Sequence, residues 1–539
     1  MKRLLTFTLT FIAPLLLMAQ DAGQEMGLDE RIDAWFAPKA AAWEHLVFYP
    51  FPGTNIPIVV ILLVLGATFF TLFFKFTNLT KFGTSLRIVR GEYDALDHHE
   101  AYDKAMVNIV EGDVVKTIED ESRHGEVSHF QALATAVSGT VGLGNIAGVA
   151  IAVTIGGPGA TFWMVVCGLL GMSTKFVECT LGVKYRDVGP DGTVYGGPMY
   201  YLSKGLKDKG FAGLGKALAV LFALLCVGGS FGGGNAAQSN QAALQLANML
   251  GWESGSAGTI IGVVLAVVVG FVIIGGIKRI ASVTEKIVPF MAVIYVVACL
   301  IVIFGNFSYI DDAFGLIFTQ AFTPEAGVGG FMGVLIQGFR RAVFSNEAGA
   351  GSASIAHSAV KTKYPASEGL VALLEPFIDT VVICTMTALV IVIYNGPGIF
   401  EYGAPGGTVM IDGASYEGAT LTSKAFESVI PWFPYVLTIA IVLFAISTMI
   451  SWSYYGLQSW MFLFGKSKVA DLSYKIIFLI FIVIGAAANM SSVWGFSDAM
   501  ILAMVFPNMI GLFFLFPQVR DELSKYLAAI KAAGNKNKE

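Results

Sequence analysis

Two groups of residues in this chain have types and spacings that could bind small charged species without any catalytic base. The first is Gly139-Thr-Val-Gly-Leu-Gly-Asn-Ile-Ala-Gly148, four glycines in ten residues with one carboxamide, Asn145. The second lies in LFAISTMISWSYYG, where Phe444, Ser447, Thr448, Ser451 and Trp452 follow i, i+3, i+4, i+7, i+8 on one helix face. A glycine cluster inside an apolar helix breaks it, because glycine costs a helix interior about 1 kcal/mol relative to alanine. The break exposes N–H groups where the new helix starts and carbonyls where the old one ends. The first attract anions and the second cations, so a zwitterion fits both. The hydroxyls of Ser447 and Thr448, with backbone carbonyls, are hard oxygen donors suited to an alkali cation without a carboxylate.

Each pattern has a plainer alternative. Gly-Leu-Gly-Asn-Ile-Ala matches a dinucleotide fingerprint, but that motif needs a strand and a soluble βαβ unit around it. Gly144 and Gly148 form a GxxxG that could serve close helix packing. Serine and threonine in apolar helices also bond back to their own backbone.

The elements that must position these residues are membrane-grade. The chain has 539 residues, 55% hydrophobic and 14% charged, with a mean hydropathy of +0.69. A soluble domain carries about 25% charged residues. Spanning helices need ~20 apolar residues, and about eleven stretches qualify: 55–76, 127–155, 159–185, 211–248, 256–277, 283–305, 328–360, 366–394, 432–463, 472–489 and 495–517. Residues 1–19 (MKRLLTFTLTFIAPLLLMA) read as a signal peptide. The five cysteines, all within apolar segments, suggest neither a disulfide framework nor a zinc site. Lysines and arginines concentrate in alternate loops, at Lys75 to Arg90, Lys184 and Arg186, Lys278 to Lys286, Lys361 and Lys363, Lys466 and Lys468, and in the basic tail 518–539. That asymmetry places the N-terminus outside and the C-terminus in the cytoplasm. The polar segment 91–129, with His98, His99, His124 and His129, reads as a solvated cytoplasmic connector.

A second interruption, Phe344-Ser-Asn-Glu-Ala-Gly-Ala-Gly351, repeats the first. The broken helices open two sets of five, 127–305 and 328–517. An odd number per set means the two halves lie in the membrane in opposite senses. Two such halves, each with a discontinuous first helix, are the pattern of an inverted-repeat secondary transporter.

The stretches TVGLGNIAGVA, GGPGATFWM, KFVECTLGVKYR, YGGPMYYL and FSNEAGAGSASIAHSA resemble the alanine/glycine:cation symporter family, which shares the LeuT-like fold. The resemblance implies an all-α polytopic membrane protein with a 5+5 inverted repeat and one extra N-terminal transmembrane helix, 55–76. It implies sodium-coupled symport of small neutral amino acids, alanine and glycine, across a bacterial inner membrane. Carried over by motif, the substrate carboxylate would meet the amides around Gly142 and Gly144 and the side chain of Asn145. Its amino group would face carbonyls near Val141 and Phe344. Gln238, in GGGNAAQSNQ, would be a further ligand, and Trp452 with Phe344 and Ala348 would close the pocket. Sodium would take carbonyls of Ser138, Val141 and Phe444 with the hydroxyls of Ser447 and Thr448.

Charges inside spans are functional hypotheses by default, and Lys175, Glu178, Arg340, Arg341, Glu347, Glu375 and Asp379 qualify. Lys175 and Glu178, three apart, are expected to pair with each other. Arg340 and Arg341 could line a gate. Glu347 would favour the new helix N-terminus, or carry a proton. Glu375 would cap backbone freed by Pro376. The Ser447–Thr448 pair favours sodium over proton coupling. A proton-coupled symporter and an amino-acid-gated channel or sensor remain as rivals. No catalytic triad, HExxH or paired-carboxylate motif occurs, so an enzyme is not expected. The expected partners are the amino acid, sodium and membrane lipid, with no nucleic acid.

Overall fold

In a bilayer only backbone bonded to itself is tolerated, so the apolar stretches fold as helices. The computed structural model describes residues 27–97, 109–110, 113–114, 125–189, 192–252, 254–274, 276–323 and 330–536. The expected leader 1–19, and the stretches of the connector holding His98, His99 and His124, fall outside these residues.

In chain order the main helices are α1 (Leu28–Val47), α2 (Ile58–Phe73), α3 (His129–Thr140), α4 (Val149–Gly156), α5 (Gly159–Lys184), α6 (Pro198–Asp208), α7 (Ala212–Phe231) and α8 (Ala237–Leu250). They continue with α9 (Ala257–Ile273), α10 (Gly276–Gly305), α11 (Ile310–Phe322), α12 (Gly330–Asn346), α13 (Ala353–His357) and α14 (Pro365–Ala372). The last are α15 (Thr385–Tyr394), α16 (Ala419–Glu427), α17 (Phe433–Phe464), α18 (Lys468–Ala487) and α19 (Met490–Lys536). Small antiparallel hairpins pair Asp187–Val188 with Val194–Tyr195 and Thr408–Ile411 with Ala414–Glu417.

Among the described residues seven helices are long and apolar enough to cross a membrane, and a bent pair, α3 with the Gly144–Gly156 segment, raises this to eight. Two shorter apolar helices, α2 and α9, accompany them. The protein is a multi-pass, mostly helical membrane protein in which two apolar helical stretches are broken. Its polarity is inside out. Phe271 is 69% exposed and Ile439 63%, while Lys175, Glu178, Glu368, Glu375 and Asp379 are fully buried. Large apolar side chains facing outward, with the few charges buried inside an otherwise apolar core, are what lipid selects.

Local structure differs from the sequence reading in three ways. The continuous helices expected over 211–248 and 366–394 each contain a π-helical stretch, Gly232–Ala236 and Phe377–Cys384. The final helix does not stop at 517 but runs through the basic tail to Lys536. Helix α1 was not foreseen, because its mixed charged and apolar residues lack membrane-grade hydropathy. Its buried residues Ile32, Phe36 and Ala40 recur every four positions and form a narrow apolar stripe.

Candidate binding site at the two helix breaks

Both glycine clusters break their helices. Helix α3 ends at Thr140, Val141 adopts an extended conformation, and a π-helical turn, Gly144–Gly148, leads into α4 at 50° to α3. The freed amides are held by carboxamide oxygens. Gly142 N–H donates to Asn145 Oδ1 at 2.8 Å, and Leu143 N–H donates to Gln238 Oε1 at 3.0 Å. Gln238 itself donates to the Gly233 carbonyl at 2.8 Å, five residues earlier in the π-helical stretch that runs into its own helix. No side chain fits at Gly142, where a Cβ would collide with Thr448 Oγ1 and lie 3.0 Å from Gln238 Oε1.

The second break is built differently. Helix α12 ends at Asn346, and Glu347 takes a left-handed φ of +57°. Its carboxylate accepts from the Trp452 indole N–H at 2.9 Å and from the Ser352 hydroxyl, just before α13. An anion there complements the N-terminus of the new helix. Asn346 Oδ1 accepts from Ala348 N–H at 2.9 Å, and its Nδ2 donates to Thr380 Oγ1 at 2.9 Å.

The breaks meet at Gly144, whose Cβ would lie 3.3 Å from Ser345 Cα and 3.4 Å from Phe344 Cδ1. Asn145 Nδ2 donates to Asp379 Oδ1 at 2.6 Å and to the Asp379 carbonyl at 3.1 Å, while Ser345 Oγ donates to Asp379 Oδ1 at 3.1 Å. Asp379 and Cys384 belong to the third π-helical stretch. All three π-helical stretches thus converge on this point, as such bulges often do at functional sites.

The expected cation ligands also come together. Thr448 Oγ1 donates to the Ser138 carbonyl at 2.9 Å, Ser138 Oγ donates to the Ser447 carbonyl at 3.0 Å, and Ser447 Oγ donates to the Phe444 carbonyl at 2.9 Å. Val141 sits three residues past Ser138, in the extended linker. These oxygens are buried and join α3 to α17, more than 300 positions apart.

Of the pocket residues, Phe344 and Trp452 flank the triple glycine. A Cβ at Gly233 would lie 3.3 Å from the Phe344 ring, and one at Gly234 would collide with Trp452. Ala348 packs against Gly171 of α5, 2.8 Å from where a Cβ there would be. Trp494 was not anticipated; its ring lies 4.7 Å from that of Phe344. Nor was the role of Asp379 and Ser345 as partners of Asn145.

Several expected charge roles are overturned. Lys175 does not pair with Glu178 but with Glu375 at 3.0 Å, and Glu178 accepts from Asn508 Nδ2 at 2.7 Å. Glu375 therefore binds a side chain rather than capping backbone freed by Pro376, and His357 Nε2 lies 3.5 Å from it. His129 is not a solvated loop residue. It opens α3, is buried, and pairs with Glu368, whose other oxygen takes His357 Nδ1 at 2.5 Å. In each case a partner from another helix, invisible in local spacing, wins.

The profile of the sodium:alanine symporter family matches residues 49–539. The chain is 44% identical to the sodium/alanine symporter AgcS of Methanococcus maripaludis over 409 residues, 76% of this chain and 86% of that one. It is 37% identical to the probable sodium/glutamine symporter GlnT of Bacillus subtilis, over 75% of this chain and 80% of that one. It is 36% identical to the putative sodium/proton-dependent alanine carrier YrbD of Bacillus subtilis, over 75% and 81%.

Proposed function

The chain belongs to the sodium:alanine symporter family, and from that premise we propose that it carries a small neutral amino acid, alanine or glycine, into the cell together with sodium. It is a transporter rather than an enzyme. In this reading it sits in a bacterial inner membrane with its C-terminal basic tail in the cytoplasm. Residues 127–305 and 328–517 are the two opposed halves.

The observation that carries the reading is the neutral oxygen cluster of Ser138, Phe444, Ser447 and Thr448: two bonds, Thr448 to Ser138 and Ser138 to Ser447, join the first broken helix to α17, and Ser447 also bonds back to Phe444 in its own helix. Three carbonyls and three hydroxyls with no carboxylate suit a weakly held alkali cation, since hydroxyls can turn their lone pairs inward. A sodium ion there would brace α3 against α17. The amides of Gly142 and Leu143 lie next to it, each satisfied by a neutral carboxamide oxygen. A substrate carboxylate would replace those oxygens and form stronger, charge-assisted bonds. Substrate and ion would meet at Gly142, so each would raise the affinity of the other by the same factor.

The aromatic wall of this reading would limit the size of the substrate side chain. Phe344 and Trp452 lie against glycine backbone on both sides of the triple glycine, with Trp494 behind Phe344. A second reading, proton coupling, draws on the buried carboxylate of Glu347 inside the second break. Its two hydrogen bonds make it a brace instead.

The test is uptake of labelled alanine into proteoliposomes under an inward sodium gradient and under a proton gradient alone. Sodium-driven uptake with accelerated counterflow is expected. Uptake driven by protons alone would overturn the choice of ion. Alanine binding without counterflow would favour a channel or sensor.

A further inference from the structure

The family match begins at residue 49, and α1 precedes it. This helix lies across one end of the bundle and is anchored on three carboxylates along one side. Asp29 accepts from Gly258 N–H at 3.1 Å, Thr259 N–H at 3.1 Å and Thr259 Oγ1 at 2.6 Å, capping the first turn of α9. Asp33 accepts from Asn489 N–H at 3.0 Å, just before α19. Glu44 accepts from Arg340 of α12 at 2.6 Å. The helix therefore ties α9, which contributes nothing to the site, to α12, which ends in the second break.

The Glu44 end reaches the pocket wall through contacts in series. Arg340 Nε donates to Asp498 at 2.7 Å, and Arg341 also pairs with Asp498. The Arg341 guanidinium lies 5.3 Å from the Trp494 ring and 5.7 Å from the Phe344 ring. Phe344 in turn faces Gly144 and Gly233. The two ends of α1 differ in strength. Asp29 makes three bonds to one helix terminus. The Glu44–Arg340 ion pair is partly solvated, with side-chain exposures of 36% and 19%, and is backed by Arg340 lying over the Phe48 ring at 4.1 Å; as an ion pair it is the weaker link.

We propose that α1 is a strap across this end of the site and that Glu44 is a positioning residue, the releasable end that holds α12 and its Phe344 wall in the arrangement closed toward α1. An outward tilt of α12 relative to α9 would load the Glu44–Arg340 pair and the Arg340–Phe48 contact, while the three-bond Asp29 cap holds. The strap thereby sets how often the site opens on this side. Its kinetic readout rests on the transport reading above, and its structural readout does not.

The experiment compares full-length wild type with Glu44→Gln, which keeps the side-chain shape and removes the charge. Hydrogen–deuterium exchange of the α12 backbone, residues 338–346, is measured without substrate. Alanine uptake from the α1 side is measured at fixed sodium while choline chloride is raised. The expected result is faster exchange in 338–346, and a half-saturating alanine concentration lowered about two- to fivefold with maximal rate changed less than about twofold, the range of a partly exposed ion pair. Added salt should move wild type toward the variant and leave the variant unmoved. Equal exchange in the two proteins would overturn the strap, as would a salt response that the variant retains. If wild type takes up no alanine, the transport reading fails and the exchange comparison alone decides the strap.

Discussion

The two helix breaks look alike in sequence and are held open by different physics. The first, Gly139 to Gly148, contains no ionisable side chain, and its glycines serve space. Gly142 keeps an ordinary negative φ, yet a Cβ there would collide with Thr448. The second, Phe344 to Gly351, needs its conformation, with Glu347, Gly349 and Gly351 at φ of +57°, +91° and +87°. It also carries its own anion, tied to Trp452 and Ser352. A break whose freed amides meet only neutral oxygens can exchange those partners for a ligand. The second break also meets its Ala348 amide with a neutral oxygen, that of Asn346, but adds a buried carboxylate that ties it to Trp452 and Ser352. In the proposed reading the first break binds and the second braces.

Substitutions can break or sharpen this contrast. The largest effect is expected at Gly142→Ala. A methyl there pushes apart the Thr448 hydroxyl and the Gln238 carboxamide, and displacement on this scale at a binding centre costs about 100-fold. Uptake assays should show transport lost while the protein still purifies folded. Next is Thr448→Ala, which removes one oxygen from the cluster. Half-saturating sodium should rise about tenfold, the scale of one hydrogen bond to a charged group.

Glu347→Ala should act on stability instead. It leaves the Trp452 indole and the Ser352 hydroxyl without their partner and should lower unfolding free energy by about 2 kcal/mol. Glu347→Gln should restore most of it in thermal-shift measurements. Half-saturating sodium and alanine should move less than about threefold in either variant; a larger change would make Glu347 a ligand and end the contrast. Smallest is Gly349→Ala. A left-handed φ costs a residue with a Cβ about 1–2 kcal/mol, and the new methyl would press on Leu63. A modest fall in melting temperature with unaltered ion dependence is expected.

Much of this architecture was legible because its signals are local. Glycine clusters announce the breaks, and the i, i+3, i+4 spacing of Phe444, Ser447 and Thr448 places their oxygens together on one helix. What could not be read depends on which helices touch. Lys175 and Glu178 satisfy a helix-pair rule, yet Glu375 and Asn508 arrive from other helices and take them. Asp379 lies in an apolar run with no motif, and only the fold brings it to Asn145 and Ser345. Trp494 reaches the pocket wall across the bundle. Helix α1 was missed because an amphipathic helix lying on a membrane protein lacks a spanning signal.

The account stands on sodium at the junction of α3 and α17 raising the affinity of the neighbouring break for substrate. The most direct measurement is equilibrium binding of labelled alanine to the purified protein across a sodium titration, for wild type and Thr448→Ala. The account predicts that sodium tightens alanine binding about tenfold or more in wild type and that most of this gain disappears in Thr448→Ala, the coupling being a property of the shared site. Alanine affinity indifferent to sodium in wild type, or equally sensitive to it without the Thr448 hydroxyl, would contradict it.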